Sequence, residues 1–220
     1  MKKIISIICM VLIASMLFGT NVYASDAWET DPIDISDEWE DPAAKPIPKV
    51  DIKKCSISNI KNATYTGKAI AQSPVIKYSN KTLKKGTDYT LSYKANTNIG
   101  VATVIITGAG NYTGSVSKTF KIIPKGTSIS KVTKPKSKQL KVTWKKQKTK
   151  TTGYQVQVAT DKAFTKNKKS YTSSKNTILT KTFKDLKKKK KYYVRVRTYK
   201  TVKGTKYYSS WSKLTQVKTR

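Results

Sequence analysis

The 220-residue sequence contains no histidine, and that absence alone removes several kinds of chemistry. Without an imidazole there is no Ser-His-Asp or Cys-His nucleophilic relay, no His-ligated zinc, and no side chain whose ordinary pKa lies near neutrality. Cysteine is almost as scarce, with Cys9 inside an apolar leader and Cys55 the other. A mature chain that keeps only Cys55 cannot close a disulfide within itself and must rely on packing. Cys55 is expected as a half-buried strand residue, with a reactive thiol or an intermolecular bridge as the alternatives. Acids number 12 against 45 bases, and eight of them crowd between Asp26 and Asp41. Arginine is limited to Arg195, Arg197 and Arg220. No window carries sustained helical periodicity. A hydrophobic share of 37% is still enough to bury a core, so wholesale disorder is excluded.

The first 24 residues read as a secretory signal peptide. Lys2 and Lys3 precede an apolar run from Ile4 to Phe18, and Val22-Tyr23-Ala24 supplies small residues before a cleavage site at Ser25. The run falls short of the roughly 20 residues a spanning helix needs, so no membrane span is expected after cleavage. Residues 25–48 read as an acidic disordered tail running into a linker stiffened by Pro42, Pro46 and Pro48.

After the linker, β-branched and aromatic runs alternate with turn chemistry. Val75–Tyr78, Tyr89–Tyr93, Ala102–Thr107 and Val116–Ile123 are expected strands, separated by Asn80-Lys81-Thr82, Lys85-Gly86-Thr87-Asp88, Asn96–Gly100 and Gly108–Asn111. A break at Pro124-Lys125-Gly126 separates this unit from a second. There the alternation is cleaner: Leu140, Val142 and Trp144 take turns with lysine and threonine, and Tyr154, Val156 and Val158 with glutamine. Tyr192, Val194 and Val196 take turns with Tyr193, Arg195 and Arg197. Period-two alternation puts the first set of each on an inner face. The expected fold class is all-β: two tandem β-sandwiches, over residues 49–124 and 127–220.

Residues 127–220 resemble a fibronectin type III domain. Trp144 stands at the place of the core tryptophan, Gly153-Tyr154-Gln155-Val156-Gln157-Val158 looks like the third strand, and Leu186 followed by Tyr192 looks like a tyrosine corner. The resemblance implies a structural core of Trp144, Tyr154, Leu186 and Tyr192, with the Tyr192 hydroxyl bonded to backbone upstream. Residues 49–124 resemble the small immunoglobulin-like modules of bacterial surface proteins, through Tyr65-Thr66-Gly67-Lys68, Leu83–Tyr89 and Gly108–Gly114. Such modules serve as spacers or adhesive repeats. Tyr208-Ser209-Ser210-Trp211-Ser212 resembles the Trp-Ser-x-Trp-Ser box of cytokine-receptor fibronectin domains, in which arginines of the neighbouring strand stack between aromatics. That implies a ladder of Arg195, Arg197, Tyr208 and Trp211. The alternative is an open glycan-binding face built from Tyr193, Tyr199, Tyr208 and Trp211.

Catalysis finds little support. Past the acidic stretch only Asp51, Asp88, Asp161 and Asp185 remain, too spread to pair for acid–base work, and Asp88, Asp161 and Asp185 read as turn residues. No cofactor and no metal are expected. What dominates is charge: residues 127–220 hold 29 bases and two acids. Candidate polyanion-binding groups are Lys145, Lys146, Lys148 and Lys150 at one corner, and Lys187, Lys188, Lys189, Lys190 and Lys191 at another. Lysine gives diffuse attraction to phosphate and carboxylate polymers, without the planar bidentate readout of bases that arginine provides, so no sequence-specific nucleic-acid reading is expected. The expected protein is secreted and cell-wall associated, a non-catalytic binding or adhesion module. Its expected partners are anionic cell-wall or extracellular polymers, with surface proteins or glycans as further candidates. Charge is expected to serve in place of a covalent anchor, no sorting motif preceding Arg220. An inert structural spacer is the alternative function.

Overall fold

The computed structural model describes residues 47–220. The expected signal peptide, and all but the last two residues of the stretch 25–48, lie outside the described residues. What is described is all-β, apart from a single 3-10 turn at Ile52–Lys54.

The first half holds β1 (Val50–Asp51), β2 (Ser56–Ser58), β3 (Ala63–Thr64), β4 (Val75–Tyr78), β5 (Lys81–Thr82), β6 (Tyr89–Lys94), β7 (Gly100–Gly108), β8 (Tyr112–Thr113) and β9 (Ser115–Ile123). One sheet runs β2-β4-β5, the facing one β3-β9-β7-β6, and β1 pairs in parallel with β8. The long strand β7 shows why the layers close. Ala102, Val104 and Ile106 lie on its inner face, fully buried, beside Phe120 and Ile122 of β9, while Val101 turns outward. Opposite them sit Ile52 and Ile76. Asp51 caps the 3-10 turn by accepting a hydrogen bond from the Lys53 amide at 2.9 Å.

Cys55 corrects the expectation of a half-buried strand residue. It follows the 3-10 turn, its amide donating to the Ile52 carbonyl at 3.1 Å, and it is buried in the core. Burial, reinforced by the nearby Asp51 carboxylate, pushes its thiol pKa up. A thiol so placed is poorly suited to nucleophilic work.

The second half holds β10 (Ile129–Thr133), β11 (Leu140–Trp144), β12 (Gly153–Ala159), β13 (Lys169–Thr172), β14 (Thr180–Phe183), β15 (Lys191–Val202), β16 (Thr205–Tyr208) and β17 (Thr215–Lys218). Its two sheets are β10-β11-β14 and β13-β12-β15-β16, with β17 also paired to β15. Between them lie Leu140, Val142, Trp144, Tyr154, Val156, Val158, Tyr192, Val194 and Val196, each 1% exposed or less. Trp144 and Tyr154 pack with ring centroids 5.6 Å apart. The Tyr154 hydroxyl accepts from the Gln147 amide at 2.9 Å and donates to the Asn176 carbonyl at 3.3 Å. The Tyr192 hydroxyl accepts from the Lys187 amide at 3.0 Å, one residue after the buried Leu186. Both tyrosines thus bury a ring while tying a loop to it.

No strand pairs across the two halves among the described residues, but side chains meet. Val202 and Tyr207 pack against the first core, and the Thr198 hydroxyl donates to the Lys125 carbonyl at 2.6 Å.

Candidate functional site

Strand β15 is served by different partners along its length. Lys191–Val194 pair with β17, and Tyr199–Val202 pair with β16. Between them the chain from Ser209 to Ser212 takes over. The amides of Thr198 and Val196 donate to the hydroxyls of Ser209 and Ser212, both at 3.1 Å, while the amides of those serines return bonds to the Thr198 and Val196 carbonyls at 3.0 and 2.8 Å. Each serine therefore closes a two-bond ring on β15 with its own side chain in place of a strand carbonyl. That leaves Trp211 projecting over the outer face of β15.

On that face the side chains form a continuous stack. Arg195 lies with its guanidinium carbon 3.8 Å from the Phe164 ring centroid and 4.2 Å from that of Trp211. Arg197 lies 4.3 Å from Trp211 and 3.9 Å from Tyr208. The order is Phe164, Arg195, Trp211, Arg197, Tyr208. Neighbouring β12 fixes the guanidinium planes: Arg195 donates from Nε and Nη2 to Gln157 Oε1 at 2.9 and 2.7 Å, and Arg197 from Nε to Gln155 Oε1 at 2.8 Å. These are cross-strand partners, Gln157 opposite Arg195 and Gln155 opposite Arg197. Burial lowers the pKa of both arginines from their ordinary value. Five planar groups held this way make a rigid cation–π stack.

Sequence reasoning missed Phe164, Gln155 and Gln157. Phe164 is buried in the β12–β13 connection at φ +59°, where a bulky side chain is rare. Asp161 holds that loop, accepting from the amides of Thr165 and Lys166 and from the Thr165 hydroxyl. Those bonds lower the Asp161 pKa to about 2. The only signal of Gln155 and Gln157 was their place on the outward face of β12.

The open aromatic face requires correction. Tyr199 is 3% exposed, its hydroxyl donates to the Ser173 carbonyl at 2.8 Å, and its ring packs 5.7 Å from Tyr208. It cannot take a ligand there. Guanidinium groups flank Trp211, whereas Tyr193 lies apart, opposite Ala159 on β12.

The two lysine groups are not brought together. Lys145, Lys146, Lys148 and Lys150 follow β11, at the end where Trp144 pairs with Ile129; Lys187–Lys191 lie at the opposite end, where Leu140 pairs with Phe183. All nine are exposed. Lys181, on an edge strand, turns toward Tyr171, its ammonium 4.5 Å from the ring centroid. Around it Lys169, Tyr171, Lys181 and Lys184 line a shallow cavity of about 580 Å³. Among the described residues no three cysteines or carboxylates gather as a metal site.

Residues 124–215 match the fibronectin type III domain family. No curated protein matches the chain. Among solved structures, the fn3 domain of human contactin 1 is similar at 15% identity and a TM-score of 0.36, over 44% of this chain and 77% of that one. The chicken CNTN1 FN1-FN3 domains are similar at 13% identity and a TM-score of 0.36, over 79% of this chain and 65% of that one. A structure described as a myokine is similar at 17% identity and a TM-score of 0.34, over 43% of this chain and 98% of that one.

Proposed function

We propose, from the match of residues 124–215 to the fibronectin type III domain family, that the protein is a secreted, non-catalytic module held to anionic polymers by its lysine surface. Such domains commonly serve as binding or spacer modules. On this reading residues 49–124 are an immunoglobulin-like companion of the kind found in bacterial surface proteins, and residues 127–220 carry the binding charge. Cell-wall glycopolymers are the favoured partners.

One observation carries the reading. The nine lysines at the two ends of the second sandwich are all exposed, while the same half has only two carboxylates, Asp161 and Asp185. Asp161 is already engaged by its own turn. Charge this unbalanced repels itself and destabilises a fold unless an external anion compensates it. Lysine attracts phosphate and carboxylate as a point charge, which suits a polymer read by density rather than by sequence.

Salt titration tests it. A protein making about six to ten phosphate contacts loses about 10³–10⁵ in affinity between 50 and 200 mM salt. The mature chain is expected to bind teichoic acid, heparin and DNA at low salt and to release them steeply. Deleting residues 25–42, which hold eight acids and no base, is expected to tighten binding and raise the salt needed for elution. Absence of binding by both forms at about 50 mM salt, the low end of the range where such contacts are strong, overturns the proposal. The spacer reading then takes its place. It is favoured by a separate observation, that Val202 and Tyr207 of the second half pack on the first core and so brace one sandwich against the other.

A further inference from the structure

At one end of the second sandwich, three segments that are distant in sequence are fastened together. The Leu186 amide donates to the Lys138 carbonyl at 3.0 Å, joining the β14–β15 connection to the β10–β11 turn. The Thr219 hydroxyl donates to the Lys187 carbonyl at 2.6 Å and accepts from the Lys190 amide at 3.0 Å, joining that connection to the residue after β17. The Ser137 hydroxyl reaches the Arg220 carbonyl at 3.3 Å. With the Tyr192 hydroxyl beneath Lys187, the backbone carrying Lys187–Lys191 is held from several sides.

Lysine is a poor choice for several of these positions if stability alone is considered. Lys189 has φ +53° and Lys138 φ +59°, in the left-handed region where a Cβ is unfavourable and glycine is free of strain. Lys191 stands directly across from Lys218 in the β15–β17 ladder, a like-charge pair that weakens strand pairing. Asp185 is the sole acid in the connection. Strain and repulsion are costs of this arrangement, and the anchored backbone holds the exposed ammonium groups that incur them at a single end.

Building on the reading that the lysine surface binds polyanions, we propose that this end is the seat of binding and that its partner is a flexible phosphodiester chain of the wall-glycopolymer kind. The cations project from the β10–β11 turn (Lys136, Lys138), the β14–β15 connection (Lys187–Lys191) and the end of β17 (Lys218, with Arg220 beyond it), all exposed. A stiff rod touches such a projecting end over only a few of its charges. Duplex DNA, with a persistence length of about 50 nm, is a rod on this scale. A flexible chain wraps the end and meets cations from all three segments. The opposite end, with Lys145, Lys146, Lys148 and Lys150, is flanked by the chain entering from the first half, the Gln147 side chain donating to the Gly126 carbonyl at 3.0 Å. That leaves less room for a polymer to wrap it.

The test compares three variants of the mature chain: Lys187–Lys191 all changed to Gln, Lys145, Lys146, Lys148 and Lys150 all changed to Gln, and the double variant Lys138→Gly with Lys189→Gly. Each is titrated with poly(glycerol phosphate) and with duplex DNA over a salt series. The five-lysine variant is expected to bind poly(glycerol phosphate) at least about tenfold more weakly, with its log–log salt slope shallower by about three to four, given about 0.7 per lost contact on a flexible chain. The four-lysine variant is expected to lose less than about threefold, with little change of slope, because on this localisation those lysines make few contacts with the polymer. The double glycine variant is expected to melt at a higher temperature than the parent while binding less well, which a purely structural role for those lysines does not produce. Equal losses from the two lysine groups overturn the localisation while leaving polyanion binding intact. A double glycine variant that melts lower removes the argument from strain. A DNA salt slope as steep as that for poly(glycerol phosphate) overturns the choice of partner. A parent chain that binds neither polymer overturns this inference and the proposed function together.

Discussion

In residues 49–124 the left-handed backbone positions are held mainly by glycine, at Gly67, Gly86, Gly100, Gly110 and Gly114. In residues 127–220 one glycine, Gly204, takes such a position, and the others fall to Lys138, Lys150, Phe164, Asn167, Asp185, Lys189 and Lys203. Four of those seven are lysines. The halves differ in charge in the same sense, with twelve bases and two acids in the first against 29 and two in the second. Two sandwiches of one architecture thus treat their turns differently. The first relieves strain with glycine, while the second accepts strain and gains a side chain at each turn. Four of those side chains are exposed lysines, Phe164 is one end of the arginine stack, and Asn167 and Asp185 make up the rest.

The largest test of this contrast is Trp144→Ala. The second core is centred on the Trp144–Tyr154 pair, whereas the first has no tryptophan and rests on five isoleucines with Tyr89, Tyr112 and Phe120. Removing the indole is expected to cost about 3–5 kcal/mol, read as a lowered unfolding midpoint for the second half while the first keeps its own. An unchanged midpoint would show that the indole does not organise the core.

Gly110→Lys asks whether the first half tolerates what the second does. Gly110 sits at φ +58°, and a Cβ there would lie 2.9 Å from the Thr87 carbonyl oxygen. The expected loss is about 1–3 kcal/mol from strain of this kind, measured by denaturant melts. A neutral result would mean that the first half had no need of glycine there, and the contrast would lose its physical basis.

Trp211→Ala probes the stack. Each guanidinium–ring contact is worth about 0.5–2 kcal/mol, and Trp211 serves two of them, so stability is expected to fall with little change in polyanion affinity. Intact stability with a lost glycan interaction would restore the aromatic-face reading.

The smallest expected effect is at Asp161. Its folded pKa of about 2 lies below the ordinary carboxylate value of about 3.9, so it stabilises the fold above the ordinary value. That contribution is expected to fade as pH falls from about 4 through 2. It is read by pH titration of the Thr165 and Lys166 amide resonances, and Asp161→Asn is expected to abolish the transition. Amide shifts that do not move over that window would remove Asp161 as the clamp of the Phe164 loop.

The alternation of Leu140, Val142 and Trp144, or of Tyr192, Val194 and Val196, is legible because strand geometry forces successive side chains to opposite faces. Arg195, Arg197, Tyr208 and Trp211 are legible as stack members because a short motif and an outward strand face name them. Phe164 is not, since its loop carries no periodic signal and its ring reaches the stack only through an unusual backbone turn. Tyr199 misled for a related reason. Its position on β15 resembles that of its outward neighbours in sequence, but the close approach of Gly153 and Ser173 covers its ring.

By itself, then, the sequence determined the β class, the two inner faces of the second sandwich and the sign and density of its charge, all set by strand period and composition along contiguous residues. Only the tertiary structure decided which cations share an end, through the fastening of Leu186 to Lys138 and of Thr219 to Lys187 and Lys190. It also decided that Phe164 closes the arginine stack and that serine hydroxyls complete the edge of β15. The reason is common to all three. Each joins segments separated along the chain, so it depends on the register between strands and the path of the loops, and neither is written in a local pattern.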